Sequence, residues 1–121
     1  MPAGAAALLA AALLVPGLPG GGTAEAASLC QGRTARTLKF PDGTVRLYQR
    51  GDWVCAVTLA RKPGTRRTMS VSVQARGSRA VKDTGRFVHH AGPVTVHAGH
   101  RCIRLGGSVS GHSAHTGWIR C

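Results

Sequence analysis

Apolar and polar residues alternate with a period of two along most of the chain after residue 33. Between recurring Gly, Pro and Asp residues, apolar positions fall two apart, for example at Val45 and Leu47 and again at Val71 and Val73. Their neighbours are mostly Thr, Ser, Arg, Lys and His. A period of two places alternate side chains on opposite faces of a strand. The pattern therefore predicts sheets with one buried face and one face in water.

The turn residues recur often enough to predict an all-β chain of seven or eight short strands. No window of helical length outside the first residues carries an apolar stripe with helical spacing. Turns are expected at Gly92–Pro93 and Gly106–Gly107, among other places. The strand count is typical of a small antiparallel sandwich or an open barrel, and the pattern leaves both open. The predicted strands lie near residues 34–40, 43–50, 53–60, 68–76, 84–90, 93–98, 101–106 and 115–120.

One aromatic residue follows the predicted turn at Gly51–Asp52. A short connection there would set Trp53 beside Tyr48 or Leu47 on the neighbouring strand. We therefore predict that Trp53 is a core or edge aromatic residue rather than a platform for a sugar ring.

The amino-terminal segment carries an uninterrupted run of small and apolar residues over 3–15, followed by a stretch rich in Pro and Gly. The run is too short to span a bilayer and is typical of a secretory signal peptide, here 1–26 with cleavage after Ala26. It is atypical because no Lys or Arg precedes Arg33. The alternative is a disordered tail rich in Ala and Gly. After cleavage of the signal peptide, residues 27–121 would form a single β domain. We expect this domain to be secreted and monomeric.

The cysteines Cys30, Cys55, Cys102 and Cys121 all lie in the predicted domain. An even count in a short exported chain predicts two disulfides, and the wide spacing disfavours a zinc site. Three connectivities exist for four cysteines. We favour the sequential pairing, because it joins neighbouring strands and fastens the end of the chain.

The charge balance is strongly basic. Residues 27–121 keep all 16 Lys and Arg but only three of the four acidic residues, for a formal charge of +13. Such a surface attracts polyanions, among which acidic wall polymers, nucleic acid and anionic lipid are candidates. The alternative is a merely solvated basic surface, since an excess of Arg also follows from a GC-rich genome. The densest cluster surrounds Pro63–Gly64 and contains Arg61, Lys62, Arg66 and Arg67.

All six histidines fall in the last third of the chain. The pairs His97 and His100, and His112 and His115, have a spacing that metal ligands use. Residues three apart on a strand point to opposite faces, so each pair needs a turn to converge. No Asp or Glu follows Asp83, so no nearby carboxylate in the sequence could orient these rings. We therefore expect no metal site. We expect exposed histidines instead, whose protonation raises the formal charge of residues 27–121 from +13 towards +19 below about pH 6.

The residues that catalysis needs are scarce. Residues 27–121 contain Asp42, Asp52 and Asp83 but no Glu, and the first two aspartates belong to predicted turns. With all cysteines oxidised, no thiol nucleophile remains. We expect no enzymatic activity, no catalytic residue and no cofactor; a small hydrolase would have to depend on Asp83 or His97.

Three stretches taken together resemble a known family: "WVCAVTLARKPGTRRTMSVSVQA", "DTGRFVHHAGPVTVHAGHRCIRLGGSVSG" and a cysteine at the end of the chain. The sequence resembles the small secreted spore-associated protein A family of streptomycetes and related actinobacteria. The most specific residues are Ala91–Val94, Cys102, Ile103, Gly106, Gly107 and Cys121. The resemblance implies export, association with the spore or aerial surface and a disulfide-bonded β domain, with no catalytic residue to carry over.

The leading hypothesis is therefore a secreted, non-enzymatic protein of the spore or cell surface. Anionic polymers of the wall or spore are the expected partners, without specific recognition of nucleic acid and without a transmembrane segment. The alternative is a secreted cationic effector that damages anionic membranes of competitors. That alternative lacks a basic amphipathic helix in residues 27–121.

Overall fold

Eight β-strands in two antiparallel sheets make up the computed structural model, which describes residues 29–121. The predicted all-β class is confirmed, and the two sheets form a sandwich rather than an open barrel. The predicted signal peptide and its cleavage after Ala26 lie outside the described residues. The strands are β1 (Arg33–Phe40), β2 (Gly43–Arg50), β3 (Trp53–Ala60), β4 (Arg67–Ala75), β5 (Val81–Phe87), β6 (His90–His97), β7 (Ile103–Val109) and β8 (His112–His115).

The first sheet has the order β1-β2-β3-β6 and the second the order β5-β4-β7-β8. The chain crosses between the sheets after β3, after β5 and after β6. No helix within residues 29–121 has the length and apolarity that a membrane crossing requires.

The core lies between the sheets and draws alternate residues from both. Its largest fully buried side chains are Leu47, Met69, Ile103 and Leu105. Strand β3 departs from the predicted alternation, because both of its faces are apolar. Its inward residues include Val54 and Ala56, whereas Cys55, Val57 and Leu59, which the period of two had assigned to the buried face, belong to a second cluster with Cys30 and Tyr48. This central strand is therefore buried on both sides.

The turn predicted at Gly92–Pro93 is wrong, because strand β6 runs through both residues. The register passes from Ala56 opposite Val94 to Thr58 opposite Ala91. Gly92 and Pro93 therefore form a bulge in β6. Gly92 has a φ of 90°, which glycine adopts without strain, and the Gly92–Pro93 peptide bond is cis. Strand β6 is an edge strand, and proline is tolerated at sheet edges and at bulges because it has no N–H to donate to a ladder. The preceding strand consequently ends at Phe87 rather than at residue 90.

The turn predicted at Gly106–Gly107 is also wrong, because both glycines lie inside β7. At Gly107 the second sheet comes so close to the first that a Cβ atom would lie 2.6 Å from Val45 Cγ2. The chain reverses instead at Ser110 and Gly111, both with positive φ. The last strand therefore spans His112–His115 rather than 115–120.

Two disulfides join Cys30 to Cys55 and Cys102 to Cys121, as the sequential pairing predicted. The first fastens the segment before β1 to the middle of β3 and is buried. The second fastens the end of the chain to the start of β7, beside an isolated bridge between Ile103 and Ile119. Both links hold segments that have few ladder hydrogen bonds of their own.

Candidate polyanion-binding surface

Every aspartate of residues 29–121 faces a histidine or a backbone N–H. The contacts are His112 Nδ1–H to Asp42 Oδ2 at 2.6 Å, His97 Nε2 near Asp52 Oδ2 at 3.8 Å, and Gly92 N–H to Asp83 Oδ2 at 2.8 Å. The fold thus brings Asp42 and Asp52 next to histidines that are distant from them in the sequence. Asp42 is separated from His112 by 70 positions, so only the packing of β8 near the first hairpin brings them together.

The cations, in contrast, have no carboxylate partners. All 16 Lys and Arg lie within the described part of the chain, and the ion pairs found there all join histidine to aspartate. Several guanidinium groups donate hydrogen bonds to carbonyl oxygens, which orients them but leaves their charge in place. The positive charge of residues 29–121 is therefore almost uncompensated by local ion pairs.

The predicted anion-binding cluster occupies the connection between β3 and β4 and the first residue of β4. Arg67 Nη2 donates to the carbonyl oxygen of Lys62 over 2.8 Å, which closes the loop around Pro63 and Gly64. Arg61, Lys62 and Arg67 line a depression of about 230 Å³ together with Pro41 and Asp42. The structure thus brings three of the four predicted residues together at one concave place on the surface.

The fourth predicted residue, Arg66, points elsewhere. Its Nη1 donates to the carbonyl oxygen of Arg86 on β5 over 3.2 Å. Arg66 and Arg86 therefore extend the basic surface onto the edge of the second sheet, outside the depression.

Asp42 is the residue of this site that sequence reasoning missed. It had been assigned to a turn, where it does lie, but the hairpin register sets that turn against the end of β3. The N–H of Arg61 donates to the carbonyl oxygen of Asp42 over 2.9 Å. The predicted turn at Asp42, followed by two neighbouring strands, was the signal that could have found this contact. The Asp42 carboxylate accepts a hydrogen bond from His112 and forms no ion pair with the cations of the depression.

A second basic cluster was not visible in the sequence. The guanidinium of Arg104 lies 4.2 Å from the centre of the Trp118 ring, and that of Arg76 lies 5.6 Å from it. Arg104 also donates to the side-chain oxygen of Gln74, opposite it on β4. These residues lie on the outer face of the second sheet, where long-range pairing rather than spacing in the chain assembles them.

The four candidate metal ligands do not converge. His112 and His115 both belong to β8, three residues apart on an extended strand, and His97 ends β6 while His100 lies in the turn that follows. Two of them have aspartate partners, which lie at opposite ends of β2. Asp42, the partner of His112, is in the turn before β2, and Asp52, near His97, is in the turn after it. Within residues 29–121, no three His, Cys, Asp or Glu side chains are grouped as metal ligands.

The neighbours predicted for Trp53, Tyr48 or Leu47, are wrong. The hairpin register sets Trp53 opposite Arg50, and Tyr48 opposite Cys55. The Trp53 side chain is 51% exposed, and its ring meets the ring of His97 edge-on at 5.1 Å. Trp53 is therefore not a core residue but the most exposed large apolar side chain of the described part.

No family model, curated protein or solved structure matches the chain. The resemblance to spore-associated protein A therefore stays a prediction. The class that the structure defines is a small, disulfide-linked, strongly basic β-sandwich.

Proposed function

We propose that the protein is a secreted, non-enzymatic component of the spore or cell surface that adheres to anionic polymers. One observation carries the proposal: no Lys or Arg of residues 29–121 forms an ion pair with a carboxylate of that part of the chain. Positive charge left without internal partners attracts an external polyanion and releases its counterions on contact. The two disulfides suit an oxidising location outside the cell.

The depression lined by Arg61, Lys62 and Arg67 is the proposed point of closest contact. Three cations and one carboxylate, that of Asp42, border a concave place of about 230 Å³, so its lining keeps a net positive charge and has room for one phosphate or carboxylate group with its solvent. Arg67 is held by its hydrogen bond to Lys62, so little side-chain freedom is lost when it meets an anion. The adjoining Arg66 and Arg86 lengthen the surface so that a polymer chain can follow it.

Sedimentation of the purified protein with isolated walls and spores tests the proposal. The triple variant Arg61→Gln, Lys62→Gln, Arg67→Gln should bind with an affinity at least about tenfold lower at low salt. The reason is that counterions stay on the polymer wherever a cationic contact has been lost, so their release no longer favours binding. The matched control is the triple variant Arg33→Gln, Arg36→Gln, Arg79→Gln, which removes the same charge from three exposed positions elsewhere. Equal losses in both variants would rule out a special role for the depression, and no sedimentation of the unchanged protein at low salt would refute the proposal itself.

A further inference from the structure

A second concavity lies far from the basic depression, at the other end of the first sheet. It has a volume of about 450 Å³ and is lined by Leu29, Gln31, Arg50, Trp53, Val54, Cys55 and Thr95. The basic depression adjoins the turn before β2, whereas this concavity adjoins the turn after it. The two places are therefore separate, and nothing in the argument for the basic surface explains this one.

Trp53 stands at the wall of this concavity with about half of its surface in water. Burying a side chain of this size contributes more to stability than burying almost any other, so leaving it exposed forgoes that gain. Single exposed apolar residues are common. This indole, however, lines a concavity, and ligand pockets combine aromatic walls with a few polar groups.

The indole is held in position rather than loosely attached. Trp53 opens β3 two residues before Cys55, whose disulfide anchors this end of the strand. The residue opposite it on β6 is His97, and the two rings meet at an interplanar angle of 79°. Such a preorganised aromatic wall loses little conformational entropy when a ligand packs against it.

The polar groups around the indole define the chemistry of a ligand. Arg50 pairs with Trp53 across the hairpin and is exposed, and it has the planar donor set that binds a carboxylate or phosphate in two places. Gln31 and Thr95 add an amide and a hydroxyl, which both donate and accept hydrogen bonds. An apolar wall, two neutral hydrogen-bonding groups and one cation together match a pyranose ring that carries an acidic group.

We propose that this concavity, the Trp53 site, binds a saccharide with an acidic substituent. The apolar C–H face of the sugar ring packs on the indole, its hydroxyls contact Gln31 and Thr95, and its acidic group contacts Arg50. The Trp53 site would allow the protein to recognise sugar units, whereas the basic surface responds only to charge. This inference does not depend on the function proposed above.

Tryptophan fluorescence tests the proposal, because the chain has two tryptophans. In the variant Trp118→Phe, Trp53 is the sole indole and reports directly on its own site. The titration uses about 1 M salt, at which the Debye length is about 3 Å and general polyanion binding is suppressed. The probes are oligogalacturonate and a hyaluronan tetrasaccharide as acidic sugars, cellotetraose as a neutral sugar and tripolyphosphate as an anion without a ring.

The expected result is a saturable change in Trp53 emission with at least one acidic oligosaccharide, a smaller response to cellotetraose and none to tripolyphosphate. In calorimetric titration, Trp53→Ala should weaken that binding about tenfold or more, whereas Trp118→Phe should leave it unchanged. Arg50→Gln should remove the preference for acidic over neutral sugar, which is measured at about 0.15 M salt because 1 M salt also weakens an ion pair at an exposed arginine. The Trp53 readouts persist in high salt even if the wall-binding proposal fails.

Three outcomes would overturn the proposal. One is Trp53 emission that none of the acidic or neutral oligosaccharides alters. Another is a Trp53→Ala variant that binds the acidic sugar as tightly as the unchanged protein. A response of Trp53 to anionic phospholipid vesicles alone would also overturn it, since the site would then take an acyl chain rather than a sugar.

Discussion

Gly107 and Thr58 face each other across the two sheets at a place of close approach. Both are buried, one in β7 and the other in β3, and the space between them leaves no room for an added carbon. At this position glycine is required for packing and not for its backbone freedom. The distance between the sheets, and with it the position of the outer surfaces, depends on this pair of small residues.

Gly107→Ala should destabilise the fold. The new methyl group would lie 2.6 Å from Val45 Cγ2 and 3.0 Å from the Ser70 carbonyl oxygen, so the sheets would have to separate locally. Overpacking of this kind costs about 1–3 kcal/mol. Urea denaturation measures the effect, with Gly117→Ala as the matched control, because nothing lies within 4 Å of a Cβ at Gly117. Equal stability of the two variants would contradict the close approach of the sheets.

Thr58→Val should stabilise the fold. The Thr58 hydroxyl is buried and has no hydrogen-bond partner within residues 29–121, whereas valine has nearly the same shape without the polar group. Removing an unsatisfied buried hydroxyl should gain about 1 kcal/mol. The same denaturation experiment on Thr84→Val, at an exposed position of β5, separates this gain from a general preference of strands for valine. A loss of stability in Thr58→Val alone would contradict the prediction, because the hydroxyl would then be satisfied or the larger methyl group would overpack against Gly107.

At the scale of the strands, the sequence predicted the number of elements and most of their positions, because their apolar residues repeat with a period of two. It failed where glycine had a role other than turning the chain. Gly92 supports a bulge within β6, and Gly107 allows close packing within β7. In the sequence alone, a glycine required by a turn and a glycine required by a facing sheet look the same. Their difference lies in long-range contacts.

The two disulfides should differ in their resistance to reduction. Cys30 and Cys55 are 1% and 7% exposed, whereas Cys121 is exposed and Cys102 is half-buried. Mild reductant should therefore open Cys102–Cys121 first, because a thiolate must reach a sulfur atom to exchange with it. Loss of this link, which closes a loop of 19 residues, should cost about 3 kcal/mol.

Alkylation after limited reduction, followed by peptide mapping, identifies the link that opens first. The variant Cys102→Ser with Cys121→Ser gives the stability cost without reductant. Modified Cys30 and Cys55 beside an intact second link would contradict the burial of the first disulfide.

At the scale of the whole molecule, the sequence predicted the distribution of charge best. It predicted the individual side-chain contacts least well. The excess of cations follows from composition, and the cluster around Pro63–Gly64 is contiguous in the chain. The partners of Asp42 and Asp52, in contrast, are distant in sequence and depend on the packing of β8 and β6. No Lys or Arg of residues 29–121 pairs with these two carboxylates, so the cationic side chains remain available to an external partner.

The salt dependence of binding to a defined polyanion tests the central claim most directly. Long-chain polyphosphate offers charge without sugar, and its affinity for the unchanged protein can be measured from about 10 mM to 1 M salt, over which the Debye length falls from about 30 Å to about 3 Å. If four cations contact the polymer, the logarithm of the affinity should fall linearly with the logarithm of the salt concentration, with a slope of about −3. Absence of binding at the lowest salt, or an affinity that does not change with salt, would contradict the account.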